Sequence, residues 1–190
     1  MKQRIITIAG RPGSGKSSTA KEVAARLGYE HFSSGDLFRE LGKQRGTEVL
    51  QTNLNAEKQH DPEVDRIVDG RLREIGTTKD NMVIDSRTAW HWIPDSFKVF
   101  LSLDLHTAAE RILNDMDDER LANEHIHRDP DEYAQVLQKR LDSEKRRYLK
   151  QYGINAQDMS NYDLVIDTHA NNFEQAVELV LKGYQEWLTQ

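Results

Sequence analysis

AGRPGSGKSS, residues 9–18, decides how the rest of the chain is read. Gly10 to Ser17 matches G-x-x-x-x-G-K-[ST] in full. The run before it, RIITIA (4–9), has the apolar, β-branched character of a buried strand. Residues 16–27 carry a helical stripe of Thr19, Val23 and Leu27 beside Ala20 and Ala24, closed by Gly28. A glycine-rich turn between a strand and a helix bares backbone N–H groups, and the helix N-terminus adds positive potential, so the segment is a cradle for a triphosphate. Its expected contacts are Gly10, Arg11, Pro12, Gly13, Ser14, Gly15, Lys16, Ser17 and Ser18. Lys16 would neutralise the outer phosphates and Ser17 would ligate Mg2+. The pattern leaves open whether water, a protein, a sugar or a second nucleotide receives the terminal phosphoryl group.

Outward from the cradle, strand and helix patterns alternate, the mark of parallel βαβ units. Further strands are expected at YEHFS (29–33), NMVID (81–85), FKVFLSLD (97–104) and YDLVID (162–167). Helices are expected from SSGDLFREL onward, from Pro62 to about Ile75, near Ala108–Leu113, from Pro130 to Tyr152, and from Asn172 to Trp187. The last of these places Phe173, Val177, Val180 and Tyr184 on one stripe that should pack on the sheet. The expected fold is α/β, a five-stranded parallel sheet in one domain of 190 residues. Two polar stretches, 40–80 and 114–147, overhang the carboxyl ends of the strands, where open α/β sheets bind ligands.

The composition narrows the function. A net charge of −6 argues against nonspecific nucleic-acid binding, and no apolar run is long enough for a membrane helix. The chain has no cysteine, which removes disulfides and thiolate metal sites and makes the cytoplasm the default location. DxxG and N-K-x-D strings are missing too, so a guanine-nucleotide switch is not expected.

Three apolar runs end in aspartate, at Asp85, Asp104 and Asp167. A strand-end carboxylate beside the cradle would hold the metal through water. Where the third strand in sequence lies beside the first, that residue is Asp85; Asp104 then reads as a helix cap and Asp167 as a turn residue. For the receiver, SSGDLFRE (33–40) sets Ser34 and Gly35 at a helix start with Arg39 one turn in, and Arg87 follows Asp85 by two. A helix start and two converging guanidinium groups suit an acceptor that already carries phosphate. In the helix 130–152, Leu137, Leu141, Tyr148 and Tyr152 form an apolar stripe, with Arg140, Glu144 and Arg147 expected about a quarter turn away, on a face that binds the acceptor.

Together GRPGSGKSS, SSGDLFR, VIDSR and RLDSEKRRYLKQYGI resemble the nucleoside monophosphate kinases, most of all the shorter, archaeal-type cytidylate kinases, over nearly the whole chain. The resemblance implies transfer from ATP to CMP or dCMP with Mg2+, and an adenylate kinase-like P-loop NTPase fold with a nucleotide-binding flap and a lid. The implied parts are a core of 1–39, 81–113 and 148–190, a flap of about 40–80 and a lid of about 114–130. Ser34 and Arg39 would contact the acceptor, Arg87 would hold its phosphate, and Arg140 and Arg147 would line the site and act on the transferring group. From the lid, Arg120 or Arg128 would swing over that group. A monomer is expected.

Bacterial cytidylate kinases carry Asp-Gly-Arg-Asp where this chain has Asp85-Ser86-Arg87-Thr88, so one of their base readers is missing. Asp65 and Asp69, four apart on one helical face, are the expected replacements, because a carboxylate facing N4 suits cytosine and opposes uracil. The rivals are a related small kinase acting on UMP, AMP or a non-nucleotide, and an ATP-binding regulatory module without turnover.

Overall fold

A computed structural model describes residues 3–44, 62–117 and 126–190. Its elements run β1 (Ile5–Gly10), α1 (Lys16–Leu27), β2 (Glu30–Ser33), α2 (Ser34–Gln44), α3 (Pro62–Thr78), β3 (Met82–Asp85), α4 (Ala89–Trp92), β4 (Phe97–Ser102), α5 (Leu105–Asn114), α6 (Pro130–Tyr152), β5 (Leu164–Asp167) and α7 (Phe173–Leu188). A short 3-10 turn, Met159–Asn161, precedes β5. The five strands form one parallel sheet in the order β2-β3-β1-β4-β5. The expected fold class is therefore observed, with the strand starts and ends of β2, β4 and β5 drawn in by one or two residues.

The central strands are buried on both faces, which is why they read as unbroken apolar runs. On one side Ile6, Ile8, Val83 and Val99 meet Val23 of α1 and Val177, Val180 and Tyr184 of α7. On the other, Ile5, Met82 and Ile84 meet Val64, Val68, Leu72 and Ile75 of α3. That second cluster narrows the flap expected over 40–80: the inner face of α3 belongs to the core. The first of those polar stretches includes residues 45–61, which lie outside the described residues, as do residues 118–125 of the lid region.

Phe173 departs from its expected stripe and is 49% exposed. It is the first residue of α7, and helical side chains lean toward the N-terminus, so its ring projects past the helix end while Ala176 takes the inward position. Asp104 caps α5 by accepting the Thr107 N–H at 2.8 Å, and Asp167 accepts the His169 N–H in the turn after β5, both as expected. No helix among the described residues is long and apolar enough to cross a membrane.

Candidate active site

The cradle is built mostly by backbone. Gly10 ends β1 so close to its neighbours that a Cβ there would lie 2.8 Å from both the Leu101 carbonyl and the Ser14 hydroxyl. Gly15, at φ 76°, is the N-cap of α1 and supplies no side-chain cap, so the N–H groups of the first turn are left for an anion. The Arg11 N–H is fixed to the Leu101 carbonyl at 3.1 Å, and the Ser14 N–H closes a turn on the Arg11 carbonyl at 3.2 Å. Ser14 is buried, and its Oγ has no hydrogen-bond partner. Ser17 and Ser18 are exposed at the mouth.

β3 lies directly beside β1, with Ile8 opposite Asp85, so Asp85 is the strand-end acid beside the cradle. It is 2% exposed and in contact with the Lys16 ammonium. Burial pushes its carboxyl up, but Lys16 and hydrogen bonds from Lys16 and Ser17 outweigh this and hold it below the usual carboxylate range. The Ser17 hydroxyl and the Asp85 carboxylate are thus adjacent hard oxygens. They fit Mg2+, which takes one or two protein oxygens and completes its shell with water and substrate phosphate. Among the described residues no group of three or more His, Cys, Asp or Glu could hold a metal by itself.

The residues expected on the acceptor side come from four separate elements. The Ser33 hydroxyl accepts the Asp36 N–H at 3.2 Å, capping α2, and donates to Asp85 at 3.4 Å. The Ser34 hydroxyl donates to the Asp85 carbonyl at 3.2 Å, which ties the start of α2 to the end of β3. Arg39 pairs with Asp36 one turn earlier and passes beside Gly35, 3.4 Å from where a Cβ would stand. Both Arg39 and Arg87 are near enough to Lys16 to oppose its charge, adding to the effect of burial. Arg87 follows β3, and its carbonyl accepts the Trp90 indole N–H at 3.0 Å. Its guanidinium reaches across to α6 and donates to Glu144 at 2.7 Å.

On α6 one expectation needs correction. Glu144 does not stand a quarter turn from the apolar stripe: it is buried with Tyr133, Leu137, Leu141 and Tyr148. Seven residues separate it from Leu137, close to two full turns, so the two share a face. Arg140 flanks that stripe and donates to the same Glu144 oxygen at 3.1 Å. Arg147, on the same flank, donates to the Tyr148 hydroxyl at 3.4 Å. Burial disfavours the charge of Arg147, and Tyr148, Asp65 and Glu144 more than offset it. Asp65 of α3 is thus brought to the arginine group.

Asp69, one turn further along α3, has another setting. It is 6% exposed, and its two oxygens accept the Trp92 indole N–H at 3.0 Å and the Tyr152 hydroxyl at 2.5 Å. Arg73 stacks on Trp92, 3.8 Å from the ring centre. The Asp69 side chain therefore ties α3 to α4 and to the end of α6. Arg128 donates to the Met116 carbonyl at 3.3 Å, linking the approach to α6 with the end of α5. Arg120 lies outside the described residues.

Trp90 and Trp92 read from the sequence as packing residues and Tyr148 as part of an apolar stripe, yet Trp90 also holds the Arg87 carbonyl, Trp92 an Asp69 oxygen and the Tyr148 hydroxyl Arg147. Their spacing is that of ordinary core residues, and only the fold reveals which polar atom each aromatic ring holds.

Residues 5–170 match the cytidylate kinase-like family. The chain is 38% identical to a cytidylate kinase of Thermoplasma volcanium, over 95% of this chain and 91% of that one. It is 36% identical to a cytidylate kinase of Halorubrum lacusprofundi, over 93% and 87%. The crystal structure of shikimate kinase from Aquifex aeolicus superposes with a TM-score of 0.58 at 18% identity, covering 95% of this chain and 96% of that one; this likeness is one of fold.

Proposed function

Because the chain belongs to the cytidylate kinase-like family, we propose that it transfers the γ-phosphoryl group of ATP to CMP or dCMP, as a cytoplasmic monomer. The observation that carries the reading is the pair of adjacent anion sites: a backbone cradle with Lys16, and an arginine group drawn from α2, the β3 end and α6. All of these groups come from one chain.

In this reading the N–H groups of residues 13–18 hold the donor phosphates, and Lys16 exchanges Asp85 for their oxygens. Ser17, and Asp85 through water, would hold Mg2+, which would supply positive charge against the donor phosphates. Arg39 and Arg87 hold the α-phosphate of the acceptor. One of its oxygens attacks the γ-phosphorus in line, the β,γ-bridging oxygen leaves with ADP, and CDP or dCDP is formed. Arg140, beside Arg87, also meets the acceptor phosphate, and with Arg147 it offsets the charge on the transferring group, the step on which phosphoryl transfer most depends. Asp65, beside the arginines, would face the acceptor base, with Asp69 supporting α3 behind it.

The test is ADP release from ATP with CMP, dCMP, UMP and AMP, with and without Mg2+. Highest kcat/KM for CMP or dCMP is expected, with activity lost on chelation. Equal or higher kcat/KM for UMP or AMP would move the chain to a different acceptor, and no turnover with any monophosphate would leave it a binding module.

A further inference from the structure

Glu144 stands in a stripe otherwise made of Tyr133, Leu137, Leu141 and Tyr148, and is 4% exposed. A carboxylate at such a position is costly unless it is paired. Its Oε1 accepts from Nη1 of Arg87 at 2.7 Å and from Nε of Arg140 at 3.1 Å, so two guanidinium groups from different elements meet on one buried atom. Without the acid between them, the two cations would repel and spread. A guanidinium carries five N–H donors in a planar fork, so the bond from Nη1 of Arg87 to Glu144 orients that fork while using one of its donors. An acceptor phosphate is itself anionic and would be repelled by Glu144, so the arginines must stand between the two.

We infer that Glu144 is a positioning residue for the acceptor phosphate: it holds Arg87 and Arg140 side by side from the buried face and touches neither nucleotide. This rests on the reading of the arginine group as the acceptor site, and it assigns Glu144 a role behind that site instead of in contact with the acceptor. The charge of Glu144 also supports that of Arg87, whose pKa it raises against the opposing effect of burial.

Steady-state kinetics with ATP and CMP would compare the wild type, Glu144→Gln, Arg87→Ala and the double variant. Glu144→Gln keeps the shape and removes the charge. It should raise the KM for CMP by about tenfold, the effect of weakening a charge-assisted contact, with the KM for ATP within about twofold. In the Arg87→Ala background the same substitution should change the KM for CMP by less than about threefold, because residues that act through one another are not additive. An unchanged KM for CMP in the single variant, or the same fold-change in both backgrounds, would overturn the inference. If circular dichroism finds Glu144→Gln unfolded, Glu144→Asp replaces it: the acid is drawn back by one methylene, an intermediate rise in KM is expected, and a wild-type KM overturns the inference. A wild type inert toward every monophosphate overturns the function reading and this inference with it.

Discussion

The two proposed anion sites of this molecule lie side by side and are made in opposite ways. The cradle is contiguous, ten residues long, and works through backbone N–H groups whose direction is set by Gly10, Gly13 and Gly15. The acceptor side is assembled from Ser34 and Arg39, Asp65, Arg87, and the trio on α6, and it works through side chains held by ion pairs. A backbone site is as rigid as its strand and helix. A site of arginines needs counter-charges and hydrogen-bond acceptors behind it, and here Glu144, Tyr148 and Asp36 supply them.

The largest expected effect tests whether the two sites are separable. Lys16→Ala should lower kcat by about a thousandfold or more, on the scale of removing a group that offsets developing charge in phosphoryl transfer. Near-normal kcat in that variant would remove the cradle from the chemistry. Arg39→Ala and Arg87→Ala should each raise the KM for CMP by about ten- to a hundredfold, a typical cost for losing a charged hydrogen bond to phosphate, while ATP binding measured by calorimetry stays within about threefold. Equal losses for both nucleotides would mean one shared site.

A smaller effect separates the two acids of α3. Asp69→Ala leaves the Trp92 and Tyr152 donors without their acceptor, so thermal melting should report a loss of about 1 to 3 kcal/mol. Asp65→Ala should melt nearly as the wild type but change the ratio of kcat/KM for CMP over UMP by about 1 to 3 kcal/mol, the scale of a good base contact. If Asp69→Ala alters that ratio and Asp65→Ala does not, the roles are reversed.

The smallest effect is one of pH. Asp85 has its folded-state pKa below the ordinary 3.8, so the native state binds fewer protons there than the unfolded chain. Its contribution to stability is complete well above pH 3.8 and is lost as the pH falls below that value through the folded pKa. Asp85→Asn should therefore flatten the acid limb of a stability-against-pH curve, and an unchanged slope would break the Lys16–Asp85 account.

The same contrast explains what could be read in advance. The cradle, the place of Asp85 beside it, the cap at Asp104 and the turn at Asp167 rest on local pattern and on the strand order of one topology. Glu144 was misplaced because a buried stripe was counted only through apolar residues, although its spacing from Leu137 and Tyr148 fits the same face. Asp69 shares its face with Asp65 by spacing, yet its partners Trp92 and Tyr152 are 23 and 83 residues away, and no local rule pairs them. Short α4 was missed for a related reason: four residues carry no helical period.

The strand order has one more consequence, for the way the molecule breathes. β1 and β3 each have a neighbour on both sides, whereas β2 and β5 are the edges of the sheet. Gly10 and Asp85, the roots of the cradle and of the carboxylate beside it, thus close two of the three interior strands, whose amides can meet water only when the whole domain opens. Deuterium should enter Ile6 to Ile8 and Val83 to Ile84 last, after both edge strands have exchanged, so the catalytic floor would be among the last parts of the fold to come apart.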